Sequence, residues 1–192
     1  MIVTVAEDIN YLLSANPSKI SETVRQGNRR KGGMTPGEAE QSVNDIIAWF
    51  KRSSDADMSE GSEEDVQPLE KAIGNEIDST LALLLQTCSN QIWYGEKKGL
   101  DASKITEFCM DGKFEELLPF CADEGEEDFL VIDLKTDEVK EWDDTDGVGD
   151  SVATSFNDYL EDYRNDLLAG KFEYVEDCGC LEKAGAGGGN HK

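Results

Sequence analysis

The stretch Phe129-Leu-Val-Ile-Asp-Leu-Lys-Thr-Asp-Glu-Val-Lys-Glu-Trp142 decides the fold class of this chain. Residues 129–134 form a short apolar run of the kind that builds a buried strand. Residues 138–142 form a second short run, which bears Val139 and Trp142. The polar tetrapeptide at 135–138 separates the two runs with the length of a hairpin turn. The stretch therefore predicts an antiparallel β-hairpin.

The flanking segments predict further strands and helices around this hairpin. Residues 117–121 are expected to be another strand of the same sheet, and the aromatic segment 91–95 reads as a short strand bounded by glycine. Apolar side chains recur at helical spacing in four segments, namely 62–74, 78–88, 101–110 and 152–167. This order of elements predicts an α+β fold in which the helices cover one face of a small antiparallel sheet.

An amphipathic helical extension is predicted before this domain. Thr35, Pro36 and Glu38 form a capping box, which marks the start of a helix whose apolar stripe ends at Phe50. Residues 51–61 are polar and acidic without periodicity, as in a solvated linker. We therefore divide the chain into an extension at 1–50, a linker at 51–61, a domain at 62–183 and a glycine-rich tail at 184–192. We expect residues 62–183 to fold alone.

The charge of the chain restricts its partners. The formal net charge is −24, and residues 55–192 carry 36 acidic against 11 basic side chains. This field repels nucleic-acid phosphates and anionic lipids, so we expect no nucleic acid and no membrane as partner. The expected partners are proteins with basic surfaces. The five cysteines have irregular spacing and the start of the chain lacks a secretory pattern, which favours a cytoplasmic location.

The ordered segments resemble the SUKH superfamily over about residues 62–180. The matching stretches include Ile92-Trp-Tyr94, Leu118-Pro-Phe120, Asp128-Phe-Leu-Val-Ile-Asp133 and the helix segment Val152-Ala-Thr-Ser-Phe-Asn-Asp-Tyr-Leu160. That domain occurs in fungal cell-wall-synthesis regulators, in a subunit of the tubulin polyglutamylase complex and in bacterial toxin-immunity proteins. The resemblance implies a protein-binding role without an active site, and it suggests an association with the cytoskeleton.

The sequence does not assemble a recognisable catalytic, cofactor or metal site. His191 is the only histidine and lies in the glycine-rich tail, so it anchors no nucleophilic triad. The Cys178-Gly-Cys180 pair has no second pair to complete a zinc site, and we expect it to pack the last segment. The Asp144–Gly147 run resembles part of a calcium loop but lacks the glutamate that closes one. We predict no enzyme activity, no cofactor and no metal.

The candidate binding residues are therefore acidic and aromatic. The segment 143–150 concentrates carboxylates beside Trp142, and we interpret it as a loop that caps the following helix through Asp150 or Ser151. Aromatic side chains at strand ends are the second candidate surface. The candidate residues are Asp143, Asp144, Asp146, Asp150, Trp93, Tyr94 and Trp142.

Three hypotheses about function follow. The preferred one is a non-catalytic interaction module, which acts as an adaptor or as a subunit of a larger, cytoskeletal assembly. The second is an immunity protein whose negative charge neutralises a basic toxin nuclease by mimicking nucleic acid. The third, an enzyme of unrecognised type that uses carboxylates or cysteine, is disfavoured because the required motifs are missing.

Overall fold

The computed structural model describes residues 34–53, 63–88, 92–175 and 180–185, which belong to one compact unit that begins at Met34. The predictions for residues 1–33, for linker residues 54–61, for Cys178 and for His191 lie outside the described residues. Residues 51–53, which we placed in the linker, are helical. Within the described ranges the helices are α1 Pro36–Ser53, α2 Glu63–Ile73, α3 Ser79–Thr87, α4 Ala102–Met110 and α5 Phe156–Leu168. The strands are β1 Trp93–Tyr94, β2 Lys97–Gly99, β3 Leu117–Ala122, β4 Asp128–Asp133, β5 Val139–Asp143, β6 Gly147–Ala153, β7 Phe172–Val175 and β8 Cys180–Lys183.

Six of the strands form one antiparallel sheet in the order of the chain, from β1 to β6. The predicted hairpin is its centre, since Phe129 pairs with Trp142 and Ile132 pairs with Val139 across β4 and β5. The predicted strand at 117–121 corresponds to β3, which pairs with β4. Strands β7 and β8 form a separate hairpin. The fold class α+β is thus confirmed.

The main core lies between the sheet and the helices. Leu130 and Ile132 point to this side from β4, and Phe156 and Leu160 meet them from α5. Burial of each such side chain contributes about 1.5–3 kcal/mol. A second, smaller cluster lies on the opposite face, because side chains alternate along a strand and Phe129 and Val131 belong to it.

Helix α1 completes the main core. Ile46 and Phe50 are fully buried there, and α1 packs against α3 and α5. An ion pair adds to this contact, because Arg164 on α5 donates from Nε to Asp45 Oδ2 at 2.7 Å. The core therefore extends beyond the expected boundary at 62, and the helix that we placed in the extension packs with the domain. We accordingly revise the expectation that residues 62–183 fold alone.

Short-range capping starts the helices much as the sequence indicates. The amide of Thr35 donates to Glu38 at 2.7 Å, which completes the predicted capping box of α1. Asp78 caps α3, and Asp101 caps α4 by accepting from the amide of Lys104 at 2.7 Å. The prediction that Asp150 or Ser151 caps the last helix was wrong. Ser155 caps α5 instead, by accepting from the amide of Asp158.

The largest difference from the sequence interpretation lies between residues 143 and 155. We predicted an acidic loop followed by a helix from Val152, but residues 144–146 form a tight turn and residues 147–153 form β6. Gly147 adopts a φ of +78°, which lets the chain reverse its direction within this short turn. The strand was not predicted because exposed side chains leave no apolar alternation in its sequence. Strands β2, β7 and β8 were not predicted either.

Two further features concern the whole described part. None of its helices combines the length and the apolar character that crossing a bilayer requires. Cys109 and Cys121 are free thiols, and Cys180 is disulfide-bonded.

Candidate protein-interaction surface

Two turns at one end of the sheet lie side by side. Because β3 to β6 run antiparallel in order, the β3–β4 turn at 123–127 and the β5–β6 turn at 144–146 fall at the same end. The amide of Asp144 donates to the carbonyl of Glu127 at 3.0 Å, and this hydrogen bond joins the two turns. We call this region the acidic end. Its carboxylates are those of Asp123, Glu124, Glu126, Glu127, Asp128, Asp143, Asp144 and Asp146.

Two of these carboxylates build the turns. Asp123 accepts from the amides of Glu127 and Asp128, both at 2.8 Å, and from that of Gly125. The bond from the Asp128 amide, with the other two, holds the pKa of the Asp123 carboxyl below its ordinary value. Asp143 likewise accepts from the amides of Thr145 and Asp146. These bonds make both turns rigid, so the neighbouring carboxylates are held in place.

Lysines neutralise part of the acidic end. Lys113 Nζ lies 2.8 Å from Asp144 Oδ1, and Lys104 Nζ lies 3.2 Å from Glu126 Oε1. The same Lys113 ammonium sits 4.8 Å from the ring centres of Phe129 and Trp142. Trp142 is half-buried beneath it and packs edge-on against Phe129. Trp142 therefore packs beneath the acidic end and contributes little to its exposed surface.

The remaining carboxylates lack such neutralisation. Within the described residues, no lysine or arginine pairs with the side chains of Glu124, Glu127, Asp128 or Asp146. Asp128 also stands directly opposite Asp143 in the β4–β5 register. Like charges that face each other across strands destabilise a sheet. The acidic end thus carries more negative charge than its turns and ion pairs use.

Asp150 lies on an exposed edge strand and not in a loop as predicted. It is in the middle of β6, where Val148 and Val152 are 50% and 44% exposed. Strand β6 pairs with β5 on one side and is the last strand of the sheet. Asp143, Asp144, Asp146, Asp150 and Trp142 are therefore brought into one region, at the acidic end and along the strand that leaves it.

The Trp93–Tyr94 candidate lies at the opposite edge of the sheet, on β1. Tyr94 is only 6% exposed and packs against the rings of Phe120 and Tyr163 in the main core. Burial raises its pKa well above the ordinary value. Trp93 is half-buried, and its carbonyl accepts the Tyr163 hydroxyl. Tyr94 is therefore a core residue, which corrects its assignment as a contact residue.

Metal-ligating side chains and thiols are the remaining groups with possible chemical roles in the described residues. Among them, no cluster of three or more His, Cys, Asp or Glu side chains is placed to hold a metal ion. Burial raises the pKa of the Cys109 and Cys121 thiols, which lowers the fraction of reactive thiolate. A scan against models of protein families and a search of curated proteins each find no match to this chain.

Proposed function

We propose that this protein is a non-catalytic interaction module, an adaptor or subunit of a larger assembly, whose acidic end binds a basic surface of a partner protein. The observation that carries the proposal is the facing pair Asp128 and Asp143, beside the carboxylates of Glu124, Glu127 and Asp146, for which no described lysine or arginine forms an ion pair. Such crowding costs stability, and a partner that supplies positive charge would relieve it.

The rigidity of the two turns supports this role. Asp123 and Asp143 each hold a turn through bonds to backbone amides, so the exposed carboxylates are presented without further ordering. A pre-ordered surface loses less conformational entropy on binding. Concentrated negative charge also steers a basic partner during diffusion, which raises the association rate. Following the SUKH resemblance, we extend the proposal to a cytoplasmic, cytoskeleton-associated assembly.

The contacts at the acidic end determine which variants test this surface. Changing Asp143, Asp144 and Asp146 together would disturb a turn and release Lys113, so its effect would mix structure with binding. The triple variant Glu124→Gln, Asp128→Asn and Asp146→Asn removes three exposed charges at the acidic end. A matched control, Glu161→Gln, Asp162→Asn and Glu173→Gln, removes three exposed charges from α5 and β7.

The experiment captures partners from native extract at low salt with the original chain and both triple variants, and identifies them by mass spectrometry. We expect the acidic-end variant to lose a basic protein that the original chain and the control retain. The association rate of that protein, measured separately, should fall with the acidic-end variant and with added salt. Equal capture and equal association rates for both variants at low salt would show that the acidity serves only solubility.

A further inference from the structure

The outer edge of β6 carries backbone groups that no strand pairs. Strand β6 runs from Gly147 to Ala153 at the end of the six-stranded sheet, and no described residue pairs with it on the side away from β5. Its five central residues are all exposed. An unpaired edge presents a row of N–H and C=O groups, which is a template for another strand.

Bulges interrupt the pairing of β6 with β5. Two register shifts occur between the strands, one between Val139 and Lys140 and one between Lys140 and Trp142. The partners of these three residues on β6 are Ala153, Ser151 and Val148, so both shifts put the extra residue in β6. An extra residue in a bulge is left out of the ladder. Strand β6 is therefore a bent edge strand whose pairing with β5 is irregular.

The side chains of β6 do not obstruct an approaching strand. Natural edge strands are protected by charged side chains such as lysine, by proline, by bulges or by a covering element. The segment Gly147-Val-Gly-Asp-Ser-Val-Ala153 is bulged and carries one charged side chain, Asp150, but contains neither lysine nor proline. Val148 and Val152 offer exposed apolar surface to a partner strand. Gly149 lacks a side chain altogether. The edge therefore combines free backbone groups with small apolar contacts.

We propose that β6 accepts an extended basic segment of the partner protein as a seventh strand of the sheet. This inference rests on the proposed function and names how the partner is held. Charge selects the occupant, because Asp150 lies within β6, Asp146 lies in the turn before it, and the exposed Glu141 lies on β5 beside it. Lysine or arginine side chains of an added strand would reach these carboxylates, while its backbone pairs with β6.

A second copy of the chain fits this edge poorly. Pairing two β6 edges would bring their Asp150 side chains together in molecules that each carry a net charge of −24. The bulges also bend β6 away from the flat shape that two identical edges need. A flexible peptide can follow the bend, so a basic peptide segment is the occupant that both charge and shape favour.

The test uses the full chain and the synthetic peptide Lys-Val-Lys-Thr-Lys-Val-Lys at low salt, followed by NMR shifts and amide hydrogen exchange. A second peptide with the same sequence carries a methyl group on every internal amide nitrogen, so it keeps the charge but cannot donate. We expect the first peptide to slow exchange of amides in 147–153. The methylated peptide should bind about tenfold more weakly, because several backbone bonds are lost, and leave that exchange unchanged.

Matched variants of the protein locate the effect on the strand. Asp150→Lys places a protective lysine in β6, and Asp162→Lys makes the same charge change at an exposed position of α5. We expect Asp150→Lys to abolish the slowed exchange in 147–153 and Asp162→Lys to retain it. If both variants weaken peptide binding equally, charge alone holds the peptide and strand addition is overturned.

The outcomes separate this inference from the proposed function. Equal binding of both peptides, with shifts confined to 123–128 and 143–146, would overturn strand addition and leave the acidic end as the binding surface. Slowed exchange in β6 that persists in the acidic-end triple variant would support strand addition and contradict the proposed role of the acidic end. Absence of binding by either peptide at low salt would contradict both.

Discussion

The two edges of the six-stranded sheet are built in opposite ways. Strand β1 has only two residues, of which Trp93 is half-buried and Tyr94 is in the core. The hydroxyl of Tyr163 on α5 donates a hydrogen bond to the carbonyl of Trp93. Strand β8 also lies against β1. Strand β6 has seven residues, and its five central residues are exposed. One edge is closed by a helix and a hairpin, whereas the other is open.

The comparison teaches where binding residues are to be sought in this chain. Aromatic side chains beside an edge attract covering elements, because burial of their large apolar surface lowers the free energy of the folded chain. Small and acidic side chains leave an edge open, because they offer neighbouring elements nothing to bury. The open edge also continues directly into the acidic end through the β5–β6 turn. Edge and charge therefore form one candidate surface.

Among single substitutions, the largest expected effect is the loss of the side chain that supports the closed edge from behind. Phe50 on α1 is fully buried, and α1 packs against the helix that carries Tyr163. We expect Phe50→Ala to lower the free energy of unfolding by about 3–5 kcal/mol, and Val152→Ala at the open edge to change it by less than about 0.5 kcal/mol. Urea unfolding measures both. Similar losses for the two variants would mean that the edges do not differ in this way.

The same contact predicts how truncation acts. A fragment that starts at residue 62 lacks Val43, Ile46 and Phe50, which are buried in the main core. We expect this fragment to lack a cooperative thermal transition, whereas a fragment that starts at residue 34 retains it. Circular dichroism on heating distinguishes the two. A cooperative transition of the shorter fragment would restore the domain boundary at 62.

A smaller effect is expected when one hydroxyl group is removed at each edge. Tyr163 donates to the carbonyl of Trp93 at the closed edge, and Ser151 donates to the carbonyl of Ala153 at 3.3 Å at the open edge. Tyr163→Phe leaves a partly buried carbonyl without its partner and should cost about 1–3 kcal/mol. Ser151→Ala leaves a carbonyl that water reaches and should cost less than about 0.5 kcal/mol. Equal costs would show that the closed edge is also solvated.

Alkaline pH should weaken the closed edge. Burial raises the pKa of Tyr94 and Tyr163 well above the ordinary value, so the folded chain keeps protons that the unfolded chain releases. The resulting stability is fully present below about pH 10, the ordinary tyrosine pKa, and is lost as pH rises above it. Above about pH 10, unfolding monitored by tyrosine absorbance should be cooperative. Tyr163→Phe should reduce the dependence of stability on pH in this range. Ionisation without unfolding would contradict this.

The smallest effect is expected at the acidic end. Bonds from backbone amides, that of Asp128 foremost, lower the pKa of the Asp123 carboxyl in the folded chain. This contribution is present above about pH 3.9, the ordinary aspartate pKa, and is lost as pH falls through the lower folded value. We expect Asp123→Asn to reduce the acid dependence of the melting temperature slightly. The exposed Glu161→Gln on α5 serves as the matched control, because it removes one carboxylate without disturbing a turn.

Much of the fold could be predicted from the sequence because local patterns carry it. The run Phe129–Leu134 has the composition of a buried strand, and Thr35 and Glu38 cap α1 through bonds within three residues. Capping and buried apolar runs depend on neighbours along the chain, so they are visible without the tertiary structure. The concentration of acids at 143–146 was likewise visible as composition.

Only the tertiary structure decided the roles of the candidate residues. Tyr94 and Asp150 each looked like a surface residue or a cap, but one is in the core and the other lies on an open edge. Strand β6 has no apolar alternation to reveal it, and its position depends on pairing with β5. The acidic end also exists because two turns meet, which brings Glu127 beside Asp144 across a gap in sequence. Contacts between distant segments depend on packing, which local composition does not encode.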